Sequence, residues 1–151
     1  MVSYIPIEYL DSFFEQVLPM LDKAAIRSNG RFKGEDFWAM VKDGRSQLWL
    51  TTDSDENIIG ATTTSIYANR NISVMEIMAH GGTSISKEYL PEVMKELEDF
   101  AIDNHCDVIR IVGRRGWKRV LDAYGYRDQH IVLEKELTNE RRNNNNREDE
   151  Y

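Results

Sequence analysis

Three β-rich runs follow one another between residues 47 and 80 with only short polar turns between them, and no other feature limits the fold as strongly. Gln47 to Thr52 and Asn57 to Tyr67 are separated by Asp53-Ser54-Asp55-Glu56, and Asn69-Arg70-Asn71 turns the chain into Ile72 to His80. Connections this short join antiparallel neighbours, so the three runs form a meander.

On either side of the meander the apolar period changes. Leu10, Phe13, Phe14, Val17, Leu18, Leu21 and Ala25 recur at helical spacing after a short first strand, Val2 to Ile7. Pro19 lies inside this helix and is expected to kink or divide it, because proline has no N–H to donate and crowds the preceding turn. Glu35 to Lys42 reads as a second short helix, with Gly44 suited to a left-handed stop. Beyond the meander, Leu90, Val93, Met94, Leu97, Phe100 and Ala101 mark the main helix, which runs to about Asn104. Asp107 to Val112 then reads as a buried strand, Trp117 to Tyr124 as a short helix and His130 to Leu137 as a last strand. The expected order is β-αα-βββ-α-β-α-β, an α/β (α+β) domain whose mixed, mostly antiparallel central sheet is flanked by helices. Residues 1–137 would form that single domain. Residues 138–151 carry no apolar period and include the run Asn143 to Asn146, so they read as a polar tail.

Composition excludes several classes of function. A hydrophobic content of 41%, with Trp38, Trp49 and Trp117, belongs to a folded globule. The formal net charge of −7 argues against nonspecific nucleic-acid binding, which needs a broad positive face. Cys106 is the only cysteine, which rules out an internal disulfide and fits a reducing compartment. No apolar stretch approaches the roughly 20 residues of a membrane span, and Met1-Val2-Ser3-Tyr4 opens no signal pattern. His80, His105 and His130 are scattered, so no metal site is expected.

The element order, together with CDVIRIVGRRGWKRVLDAYGYRDQHIVLEKEL at residues 106–137, resembles the GCN5-related N-acetyltransferase (GNAT) superfamily across residues 1–137. The chain looks most like the small GNAT-like proteins of tailed bacteriophages, some of them internal virion proteins of short-tailed phages. The resemblance implies that a strand, a turn and a long helix hold the pyrophosphate of coenzyme A, and that a later strand parts from its neighbour to admit the pantetheine arm. Here those elements would be Ile72 to His80, Gly81 to Ser86, the helix to Asn104, and Asp107 to Val112.

Each candidate site has a chemical and a plain reading. Gly81, Gly82, Thr83 and Ser84 would offer backbone N–H groups to an anion, although Gly81 to Ser86 lacks the Arg or Gln of the family turn. The family's acid is a tyrosine four residues before a closing glycine-aromatic pair; Gly125-Tyr126 matches the pair, but the residue four back is Leu121, which transfers no proton. Tyr124 and Tyr126 could substitute, or could simply pack. Strict alternation puts Val74, Glu76, Met78 and His80 on one strand face, where Glu76 could take a proton from an amine or could pair with a basic side chain on an adjacent strand. Arg114, Arg115, Lys118 and Arg119 surround Trp117 at the start of a short helix, where the helix dipole disfavours cations. A phosphate, a carboxylate or a protein partner would relieve that crowding, and solvent would also serve.

With the acid missing and the turn altered, the resemblance implies a noncatalytic, virion-associated protein that needs no cofactor. It would pack through Arg114, Arg115, Trp117, Lys118 and Arg119 against portal, tail or internal virion proteins, in the virion or the host cytoplasm. The alternative is an acetyl-CoA-dependent N-acyltransferase acting on a small-molecule or protein amine. In that case Glu76 would be the base through water, Tyr124 or Tyr126 the acid, and Gly81 to Ser84 the cofactor turn.

Overall fold

The computed structural model describes residues 1–28, 30–113 and 115–137. Five strands form one sheet in chain order: β1 Val2–Ile5, β2 Gln47–Thr52, β3 Ile58–Asn69, β4 Ile72–Gly82 and β5 Val108–Ile111. β1 to β4 pair antiparallel, as the short turns require, while β5 pairs parallel to β4 after the helical crossover. The sheet is therefore mixed and mostly antiparallel, with helices on both faces.

One face carries α1 (Phe14–Ala25) and α2 (Gly34–Lys42). Val17, Leu21, Phe37 and Val41 from these helices join Leu48, Leu50, Ala61 and Ala79 of the sheet in one buried cluster. Pro19 does not divide α1; the break falls earlier, where a 3-10 segment, Ile7–Phe13, passes into the helix. Pro19 and Glu15, one turn before it, are both exposed, so water can take up the carbonyl that proline leaves unpaired. α2 ends as its glycine requires, with Gly44 at φ 83° and its N–H on the Val41 carbonyl.

The other face carries α3 (Leu90–Asp103). Trp49 meets Phe100 of α3 edge-on, with ring centroids 5.0 Å apart, and Tyr4 stacks on the same phenyl ring at 5.8 Å. The Trp49 indole N–H donates to Thr64 Oγ1 (3.0 Å), whose own hydroxyl donates to Gln47 Oε1 (2.9 Å). The indole N–H and the Thr64 hydroxyl are thus both satisfied, as burial demands.

The strict alternation expected along β4 does not hold. Thr64 pairs with Ile77 and Thr63 with Ala79, so Met78 is an extra residue on β4, a β-bulge. One inserted residue reverses the facing of everything after it. Glu76, opposite Ser65, lies on the α1/α2 side, whereas His80, opposite Thr62, lies on the α3 side with Thr64 and Trp49.

The described residues group into two compact units, dividing between residues 114 and 115. The first holds the sheet and α1 to α3. The second opens with α4 (Gly116–Leu121) and a 3-10 turn, Asp122–Tyr124, closed by Gly125 at φ 84°. The last strand expected at His130 to Leu137 is absent: these residues carry no strand pairing, and Ile131, Val132, Leu133 and Leu137 are exposed. A strand has no hydrogen bonds of its own, so an apolar run with β-propensity forms one only where a neighbour supplies the other half of the ladder. The polar tail, 138–151, lies outside the described residues.

Candidate functional site

β5 accompanies β4 for only four residues. The parallel register runs from Val74↔Val108 to Ile77↔Ile111 and stops there, immediately before the Met78 bulge, while β4 continues to Gly82. Beyond Ile77 the β5 side of β4 has no strand partner among the described residues. The result is a fork, one of whose arms runs on without a strand neighbour among the described residues. A strand edge offers N–H and C=O groups to any extended, amide-bearing chain that lies along it.

A polar cluster sits where the strands part. The Tyr67 hydroxyl on β3 donates to Glu76 Oε1 at 2.9 Å, and Arg110 Nε on β5 lies 3.3 Å from the same oxygen. Arg110 is the direct neighbour of Glu76 in the parallel register, so the pair is set by strand alignment. The Glu76 side chain is 17% exposed and that of Arg110 43%. Burial, then the hydrogen bond to Glu76, raises the Tyr67 pKa above the usual phenol value, so Tyr67 stays protonated and keeps donating.

On the opposite face, His80 Nδ1 lies 2.8 Å from Thr62 Oγ1. Burial lowers the His80 pKa, which favours the neutral imidazole. His80 and Glu76 cannot act on one reacting atom from the same side.

Gly81 and Gly82 belong to β4 and pair with Ala61 and Gly60. A Cβ on Gly81 would strike the Met20 carbonyl oxygen of α1, and one on Gly82 the Ile59 carbonyl oxygen of β3. Close approach of backbone to backbone thus accounts for both glycines. The turn begins at Thr83, whose N–H donates to the Ile59 carbonyl, while the Ser86 N–H and hydroxyl both donate to the Thr83 carbonyl. Ser84 opens a 3-10 segment, Ser84–Tyr89, before Pro91 starts the first turn of α3. In the sequence these residues stand only as two separate small-residue pairs, Gly60-Ala61 and Gly81-Gly82, and it is the register that sets them opposite each other.

In the second unit Lys118 pairs with Asp128 at 2.8 Å, the carboxylate that the crowded helix start called for, and this contact raises the Lys118 pKa. Arg115 and Arg119 are exposed, Trp117 is half-buried, and Arg114 lies outside the described residues. Leu121 is buried, and its carbonyl accepts from the Tyr126 N–H at 3.3 Å. Tyr124 and Tyr126 are half-buried. Among the described residues no His, Cys, Asp and Glu group could hold a metal ion, and no helix is long and apolar enough to cross a membrane. A recess lined by Asp22, Phe32, Lys33 and Glu35 among others includes no residue of β4 or β5.

No protein-family model and no curated protein sequence matches the chain. Solved structures do match in shape. A GNAT family acetyltransferase from Staphylococcus aureus superposes with a TM-score of 0.62 at 18% identity, covering 91% of this chain and 98% of its own. Glucosamine-6-phosphate N-acetyltransferase from Arabidopsis thaliana gives 0.63 at 14%, with 91% and 97% covered. A predicted acetyltransferase from Clostridium acetobutylicum, solved with acetyl-CoA, gives 0.65 at 14%, again with 91% and 97% covered. At these identities the likeness is one of architecture, and it runs nearly the full length of both partners in each case: the chain has the fold of the GNAT acetyltransferases.

Proposed function

We propose that the protein is an acetyl-CoA-dependent N-acyltransferase acting on a primary amine. The observation that carries this reading is the fork: β4 loses β5 at Ile77/Ile111, beside the Met78 bulge, and runs on to Gly82 with no further strand partner on that side among the described residues. The pantetheine arm of coenzyme A is an extended chain with two amides, so a strand edge fits it. The pyrophosphate end has less to hold it, since Thr83 and Ser86 spend their N–H groups within the protein and the nearest cation along the chain is Lys87. Acetyl-CoA would supply an activated thioester at the fork. Glu76 would accept the proton of the attacking amine, directly or through water, as the N–C bond forms and the C–S bond breaks. The thiolate would leave and take a proton from solvent. The similar structures support this reading in preference to a structural role in a phage particle.

Calorimetry with acetyl-CoA tests the reading. Binding near micromolar, about −8 kcal/mol, is expected. Release of free thiol with spermidine, glucosamine 6-phosphate or a lysine-containing peptide should accompany it and fall about a hundredfold in Glu76→Gln. Affinity no tighter than about millimolar would overturn the assignment.

A further inference from the structure

The two contacts to Glu76 fall on one oxygen. Tyr67 Oη and Arg110 Nε both address Oε1. Among the described residues Oε2 accepts no hydrogen bond, and it is not sealed from solvent, since the one buried and unsatisfied side-chain polar atom is Thr63 Oγ1. The carboxylate is therefore held at Oε1, while Oε2 is not sealed and keeps its capacity to accept a donor. It projects on the α1/α2 side of the sheet, in the last pair but one of the β4–β5 ladder.

We infer that Tyr67 and Arg110 are positioning residues, which hold Oε1 so that Oε2 alone receives the amine proton at the fork. The inference rests on the acyltransferase reading and extends it to two residues that would not themselves touch the substrate. Tyr67 reaches from β3 and Arg110 from β5, so the carboxylate is braced from both neighbouring strands and cannot turn Oε2 inward without giving up both partners. The acceptor is then addressed from the α1/α2 side, and the proton taken at Oε2 passes to water there. Trp49, Thr62 and His80, on the other face, have no part in that transfer.

Thiol release with spermidine and with a lysine-containing peptide, measured beside acetyl-CoA calorimetry and melting curves, tests this in the full-length protein. Tyr67→Phe and Arg110→Gln should each lower kcat about tenfold, as a small misplacement of a reacting group does, while the acetyl-CoA Kd stays unchanged. Arg110→Lys should retain more activity than Arg110→Gln. Tyr67→Phe added to Glu76→Gln should cause no further loss, because residues that act through one group are not additive. Full kcat in both single variants, or losses that multiply with Glu76→Gln, would overturn the inference and leave the acyltransferase reading in place. Absence of acetyl-CoA binding by the unaltered protein would remove both.

Discussion

Gly81→Ala separates packing from ligand binding at the end of β4. The added methyl would strike the Met20 carbonyl oxygen, with the Met20 carbonyl carbon at 3.1 Å and the Ala24 nitrogen at 3.6 Å behind it. All three atoms are helix backbone, so no flexible side chain can give way and α1 must move off the sheet. Overpacking of this kind costs about 1–3 kcal/mol, and a rigid neighbour puts Gly81 near the upper end. A loss of about 3 kcal/mol in a domain of this size lowers the melting temperature by roughly 6–12 °C. Two controls isolate crowding from backbone strain. Gly44→Ala meets no atom within 4 Å but sits at φ 83°, so it should cost only about 1–2 kcal/mol. Gly116→Ala meets no atom within 4 Å either, at an ordinary φ, and should leave melting unchanged. The assay is thermal and urea unfolding of the three variants side by side. A Gly81→Ala protein that melts like the parent but loses acetyl-CoA affinity would refute the packing argument and make Gly81 part of the cofactor turn.

Three further changes probe other parts of the chain. His80 has a lowered pKa in the folded state, so below about pH 6.5 the unfolded chain binds a proton that the folded one resists. Stability should accordingly fall as pH drops from 7.5 to 5.5, and His80→Asn should flatten that decline in urea melts; an unchanged slope would exclude His80 as its source. Thr63→Val should raise stability by about 1 kcal/mol, since Thr63 Oγ1 is buried without a partner, whereas a loss of similar size would reveal a bound water at that hydroxyl. Leu121→Ala should cost about 2–5 kcal/mol in melting experiments because the side chain is buried, and a change below 1 kcal/mol would show that the second unit contributes little to the cooperative fold.

The helices and the meander were legible because their signal is local. A period of 3.6 or 2 is carried by residues a few places apart, and α1, α2, α3 and β2 to β4 all fall within a few residues of where the apolar pattern puts them. What failed depended on partners. His130 to Leu137 has the composition of a strand, but the ladder it needs is a property of two segments. Gly81-Gly82 looks like a phosphate turn until Ala61 and Gly60 are set opposite and the α1 backbone is laid over them. Glu76 could be read as base or as ion pair, and the distances now show the ion pair at Oε1 while Oε2 keeps its capacity to accept a donor.

The bulge at Met78 is the clearest case of information that no local pattern holds. Val74, Glu76, Met78 and His80 alternate perfectly along the chain, and nothing in those residues announces that one of them has no opposite number. The extra residue shows only in the pairing, where Thr63 and Thr64 are adjacent on β3 but Ala79 and Ile77 are not on β4. Its consequence for chemistry is larger than its size. With an unbroken ladder, Glu76 and His80 would stand on one face, roughly 13 Å apart along β4, with any relay between them running over the α1/α2 side. With the bulge, the imidazole is turned toward Thr62 and the α3 side, and Glu76 keeps Tyr67 and Arg110 on its own side. The same insertion lies where β5 leaves β4, so the feature that parts the two side chains also marks the place where the fork opens.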